Sequence, residues 1–225
     1  MKYTYYGQSC FALETATKKL LFDPFITPNP LAKNIDVKAI EADYILVSHG
    51  HGDHVADLVE LAKQTNATVI AIPEIIDWVQ KQGIDKVHAM NFGKYTFDWG
   101  TVRMVSALHS SGLPDGSYGG NPAGFVLEVD GKQIYFAGDT GLTIEMKVLA
   151  DIYNLDYAIL PIGGNYTMDV DDALIATKYI ACSKVIGVHY NTFPVIEIDT
   201  KLAVDKFSRE NKTLFLPAIG ESITL

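Results

Sequence analysis

The amino-acid sequence predicts an α/β fold of one domain over residues 1–225, and the order of its elements fits an αββα sandwich. Three observations point there. Short apolar, β-branched runs alternate with segments whose apolar residues recur at helical spacing, the pattern of mixed strands and helices. The two halves, before and after about Asn121, repeat the same order of strands followed by helices. Metal-binding side-chain types come directly after apolar strands, so a shared sheet edge can gather positions 49, 109, 139 and 189.

In chain order, residues 3–7, 10–15 and 20–22 read as strands, the first two divided by a tight turn at Gly7-Gln8-Ser9. Asp23-Pro24 ends the third, and the proline-bearing stretch 25–38 reads as a loop near the site. Residues 44–47, Tyr-Ile-Leu-Val, form a continuous apolar run suited to a strand buried on both faces. Val55, Leu58, Val59 and Ala62 then fall at helical spacing, predicting one helix that starts at the ligand loop and runs to about Asn66. A strand over 68–72 leads to a helix over 73–82, opened by Pro73 and Glu74 and closed before Gly83.

His88 lies in a short strand with no second ligand type nearby, which makes it structural. Residues 95–97 and 102–107 form a strand pair turned at Trp99-Gly100. The Gly- and Ser-rich connection 110–124 reads as a structureless loop, long enough to suggest a wall of the active site. Strands over 124–129 and 132–136 make a hairpin across Asp130-Gly131, a strong two-residue turn signal. A helix follows from near Leu142, then a strand over 157–160. The helix over 170–181 has Asp169, Asp171 and Asp172 at its start, where acids complement the helix dipole. A strand over 185–188, a helix over 200–211 and strands over 213–216 and 221–224 complete the chain.

Composition narrows the function. A net charge of −9 opposes non-specific nucleic-acid binding, which normally shows as a basic stripe. The N-terminus lacks the features of a signal peptide, and no apolar run approaches a membrane span. Cys10 and Cys182 are too few for a disulfide framework, so a reducing cytoplasm is the expected compartment.

The chemistry concentrates in one loop. After the strand at 44–47 come His49, His51, Asp53 and His54, four ligand types within six residues, with Gly50 and Gly52 letting the backbone turn. A closed structural zinc site would draw on paired cysteines, which this loop lacks. Imidazole and carboxylate donors instead suit a hydrolytic divalent metal with an open position.

The His-Gly-His-Gly-Asp-His run at 49–54 resembles the signature of the metallo-β-lactamase superfamily. Further matches follow in order: Ala107-Leu108-His109-Ser110-Ser111-Gly112, Ala137-Gly138-Asp139-Thr140-Gly141 and Gly187-Val188-His189-Tyr190. With Asn121-Pro122-Ala123-Gly124-Phe125, Gly163-Gly164-Asn165-Tyr166-Thr167-Met168 and Asn191-Thr192-Phe193-Pro194, the chain looks like a group of bacterial and archaeal metal-dependent hydrolases related to the ascorbate-phosphate lactonase type.

That resemblance implies two mixed β-sheets flanked by helices and two divalent ions, Zn2+ or Mn2+. His49, His51 and His109 would bind one metal, and Asp53, His54 and His189 the other, with Asp139 bridging. Asp23 would orient a ligand histidine from behind, and an amide, Gln8, stands where relatives often carry histidine. Asp53 would also shuttle protons, and Asn121, Thr167 and Asn191 are candidate substrate contacts. The implied activity is attack by a metal-bridging hydroxide on an ester, lactone or phosphodiester of a small metabolite, anionic ones included. The alternative is a metal-binding regulatory protein without turnover. No nucleic-acid or membrane partner is expected, while a homo-oligomer is compatible with the family.

Overall fold

The computed structural model describes residues 1–225, and its strands build two seven-stranded sheets. In the first, β1 (Lys2–Gly7), β2 (Cys10–Glu14) and β3 (Lys19–Phe22) run antiparallel, and β4 (Tyr44–Leu46), β5 (Thr68–Ala71) and β6 (Val87–Ala89) add in parallel. The second begins with β7 (Lys94–Phe97), β8 (Gly100–Ser106), β9 (Ala123–Val129) and β10 (Lys132–Phe136), all antiparallel. It continues in parallel through β11 (Tyr157–Pro161), β12 (Lys184–Val188) and β13 (Thr213–Phe215). The last strand, β14 (Ser222–Thr224), returns to the first sheet and pairs with β1. Both sheets are therefore mixed, as expected.

Strand alternation assigns each side chain to a layer. In β3, Leu20 and Phe22 enter the core between the sheets, whereas Leu21 points to the outer core of the first sheet. In β10, Ile134 and Phe136 face inward while Tyr135 faces the outer core of the second sheet. Both faces are covered, which is why these strands read as unbroken apolar runs. Phe11 stacks on Phe22 at 4.4 Å and meets Phe136 of the opposite sheet edge-on at 5.1 Å, joining the two sheets.

Helices α1 (Gly52–Val55), α2 (Leu58–Thr65) and α3 (Pro73–Lys81) carry residues of the first outer core, and α4 (Met146–Ile152), α5 (Val170–Tyr179) and α6 (Thr200–Arg209) residues of the second. The order helix, sheet, sheet, helix is the predicted sandwich. No helix is long and apolar enough to cross a membrane.

Turn chemistry behaves as the sequence indicates. Asp130 (φ 52°) and Gly131 (φ 72°) place both central residues of the β9–β10 turn in the left-handed region, the requirement of a tight hairpin turn. Asp169 caps α5 by accepting from the N–H groups of Asp171 and Asp172, so these acids serve the helix start.

Three expectations change. The single helix over 55–66 is two, α1 and α2, because Asp57 leaves helical geometry between them. Its N–H donates to the Pro24 carbonyl and its Oδ2 accepts from Ile26 and Thr27 N–H, pinning the loop after β3. The helix expected near Leu142 begins at Met146. The connection 110–124 is not structureless, since Gly112 and Tyr118 form a β-bridge, and Ser111 Oγ accepts the Gly50 N–H.

Candidate metal centre

The backbone delivers each donor from a strand end. His49 follows β4; His51 caps the start of α1, whose first turn presents Asp53 and His54. His109 follows β8, Asp139 follows β10 and His189 follows β12. Gly138 makes the approach of Asp139 possible: its φ is 62°, and a Cβ there would collide with the Ala123 carbonyl. Two backbone hydrogen bonds join the sheets at this rim, Ala123 N–H to Ser48 O at 2.9 Å and His189 N–H to Gln8 O at 2.8 Å.

The donor atoms fall into two sets: His49, His51 and His109, and Asp53, His54, Asp139 and His189. Asp139 Oδ2 faces both sets, at 3.9 Å from His49 Nε2 and 3.7 Å from His109 Nε2 on one side, and 3.3 Å from His54 Nε2 and 3.0 Å from His189 Nε2 on the other. Asp53 Oδ2 lies 3.5 Å from His54 Nε2 and 3.7 Å from His189 Nε2. His54 Nε2 and Asp139 Oδ1 are buried without hydrogen-bond partners. Buried polar atoms left without partners inside a cluster of imidazoles and carboxylates cost stability unless something positive sits among them, so the residues fit divalent cations.

A third grouping of Asp23, His49 and His54 is better explained as support. Asp23 Oδ1 accepts the Ser48 N–H at 2.7 Å, and its Oδ2 accepts Ser48 Oγ–H and lies 2.8 Å from His54 Nδ1. Its carboxylate is thereby committed to orienting the ring, as expected. The role of Gln8 is a finding the sequence did not disclose. Buried in the turn after β1 with φ 53°, it donates from Nε2 to Asp53 Oδ2 at 2.9 Å.

Burial opposes charge on all these groups, and carboxylates decide where it is kept. Burial, with His54 adding to it, holds the His49 imidazole well below its usual value, and burial also lowers His51 and His109. For His54, burial is outweighed by Asp139, Asp53 and Asp23, which hold it well above. The same contest, led on the raising side by Asp139, brings His189 up to about 9. Burial pushes Asp53 and Asp139 up, yet His54 and His189 hold both below the ordinary carboxylate range. The centre therefore draws positive charge, and Asp23, raised by burial, stands behind it.

A cavity of about 580 Å3 opens over the donors. His51, Asp53, His109, Asp139 and His189 form its floor, and Ser110, Tyr166, Phe193 and Val195 its walls. Of the stretch 110–124 only Ser110 reaches it, and the aromatic and aliphatic wall comes from the loops after β11 and β12. Asn121, Thr167 and Asn191 do not line it. Asn121 Oδ1 accepts the Tyr118 O–H, Thr167 Oγ1 donates to the Met168 carbonyl, and Asn191 Oδ1 accepts the Ile198 N–H. His88 packs against Tyr95 and Phe97, in none of the donor sets.

Residues 18–190 match the model of a beta-lactamase superfamily domain. A UPF0173 metal-dependent hydrolase of Flavobacterium johnsoniae is 50% identical, with both chains covered in full. Among solved structures, the metallo hydrolase Igni18 of Ignicoccus hospitalis is 35% identical at a TM-score of 0.90, covering 100% of this chain and 97% of that one. An isothiocyanate hydrolase from Delia radicum gut bacteria shares the fold at a TM-score of 0.81 and 18% identity, covering 100% and 99%.

Proposed function

Because the chain belongs to the beta-lactamase superfamily, among its metal-dependent hydrolases, we propose that it hydrolyses an ester, lactone or phosphodiester of a small metabolite at a centre for two divalent cations. The observation that carries this reading is the division of seven donor side chains into two sets, with Asp139 Oδ2 of the second set also within 3.9 Å of His49 Nε2 in the first. His49, His51 and His109 would hold one cation; Asp53, His54 and His189 the other; Asp139 would touch both. Zn2+ and Mn2+ both suit this mixture of imidazole and carboxylate. Bound there, they would supply an acidified water and polarise the scissile carbonyl or phosphoryl oxygen.

The protein's own groups handle orientation and protons. Asp139 is 2% exposed and is confined to holding charge, whereas Asp53 is 26% exposed and faces the cavity. Its Oδ2 can take the proton of the attacking water and pass it to the leaving-group oxygen, with Gln8 Nε2 fixing the carboxylate in place. Ser110 Oγ lies 3.3 Å from His51 Nε2, but His51 Nδ1 faces His49 and no carboxylate. That arrangement lacks the acid that would orient a serine–histidine nucleophile. Two buried, unpaired cysteines support a reducing compartment.

The open cavity with Asp53 on its floor favours turnover over a purely metal-binding role. The test is elemental analysis together with an ester, lactone and phosphodiester panel. Two metals per chain and turnover of at least one class are expected; two metals with no turnover of any class would favour the binding protein.

A further inference from the structure

The cavity walls differ sharply from its floor. Tyr166 and Val195 are 58% and 56% exposed, and Phe193 is half-buried with its ring 6.4 Å from that of Phe25. Val195 and Phe193 are held by a firm turn: the Ile196 N–H donates to Phe193 O, Asn191 N–H to Ile196 O, and Ile196 is fully buried beneath. Exposed apolar side chains are ordinary when scattered, but gathered on the wall of a polar-floored cavity they mark ligand contact. No lysine or arginine lines the cavity.

That absence discriminates between substrates. A phosphodiester brings a permanent anion whose non-bridging oxygens are best met by arginine or lysine. Here only the bound cations would meet them, since the rest of the lining offers an apolar wall and no lysine or arginine, in a chain of net charge −9. A neutral ester needs stabilisation of only one developing oxyanion, and its substituent gains by leaving water. Resting on the hydrolase reading above, we infer that the substrate is an uncharged carboxylic ester or lactone whose apolar substituent packs against Tyr166, Phe193 and Val195. In the reaction the water oxygen forms a bond to the carbonyl carbon. The acyl C–O bond then breaks with its electron pair on the leaving oxygen, which takes up a proton to give the alcohol beside the carboxylic acid.

The test compares phenyl butyrate, phenyl acetate and bis(4-nitrophenyl) phosphate on the metal-loaded protein. Burial of two further methylenes predicts kcat/KM about tenfold higher for butyrate than for acetate. Val195→Ser and Phe193→Ala should bring that ratio toward one, mainly through KM. A second readout is calorimetric binding of the non-hydrolysed ketone butyrophenone, which Phe193→Ala should weaken about tenfold with metal content unchanged. Faster cleavage of the phosphodiester than of either ester, or a butyrate-to-acetate ratio indifferent to both substitutions, overturns the substrate class and leaves the hydrolase reading standing. No hydrolysis of any of the three overturns both.

Discussion

Asp23 Oδ2 lies 2.8 Å from His54 Nδ1, and neither side chain has any exposure to solvent. The contact turns the ring so that Nε2 faces the centre, 3.3 Å from Asp139 Oδ2. Asp23→Asn keeps the shape and tolerates the φ of 42°, because asparagine adopts left-handed backbone readily. It removes the charge behind the ring. Metal affinity should fall about 10–100-fold, measured by chelator competition, with the fold retained in thermal melting. Unchanged affinity would reduce Asp23 to a packing residue.

Asp53→Asn tests proton transfer separately from the scaffold. The amide can still accept from Gln8 but cannot take a proton. Turnover per bound metal should drop by roughly two to four orders of magnitude, while the melting temperature changes little. Wild-type turnover in this variant would take Asp53 out of the mechanism.

Asp139→Ala should empty both sets of donors at once, since Oδ2 is the atom that faces both. His88→Gln, by contrast, should leave metal content intact, because His88 packs against Tyr95 and Phe97 and belongs to none of the donor sets. Elemental analysis of the two proteins side by side decides both points, and metal loss from the His88 variant without unfolding would show that the donor set is misassigned.

The protonation of His189 gives a pH prediction for the metal-free protein. Its folded value, about 9, lies above the ordinary 6.5, so the folded state binds this proton more tightly than the unfolded chain does. The stabilisation is fully present below about pH 6.5 and is lost as the pH rises through about 9. Melting temperature of the chelator-treated protein should therefore fall across that window. Loading with Zn2+ near pH 7.5 should expel protons from His189 and His54, visible as a binding enthalpy that depends on the buffer.

Phe136→Ala removes a fully buried ring that meets both Phe11 and Phe22 across the sandwich. It should destabilise the fold by about 3–5 kcal/mol in denaturant titration.

How far the sequence revealed these features depended on whether the signal was local. The loop at 49–54 holds four donors within one turn of chain, and the strands before Asp139 and His189 end in buried apolar runs while the strand before His109 buries Val102 and Met104 on one face, so their convergence could be anticipated. The break at Asp57 could not, because its partners Pro24, Ile26 and Thr27 lie in another loop. Gln8 was visible only as a departure from histidine, and its contact with Asp53 is made between two loops of the first sheet that lie 45 residues apart in the chain. The wall residues Tyr166, Phe193 and Val195 lie within or beside segments whose polar members, Thr167 and Asn191, were the expected contacts. The resemblance suggested ligand binding there, but the side chains of Thr167 and Asn191 are spent on their own loops, while Tyr166, Phe193 and Val195 line the cavity.

The two backbone bonds that tie Ser48 to Ala123 and Gln8 to His189 lie at the same rim as the donor atoms, which come from both sheets. A cation bound there would act as a clasp, closing a loop of chain from His54 to His189 and restraining the two layers against each other at the rim. Opening of that rim and release of the ion would then be one event. Amides at 48, 123 and 189 should exchange with solvent more slowly in the loaded protein than in the stripped one, well beyond any change at β6 or β7 on the far edge.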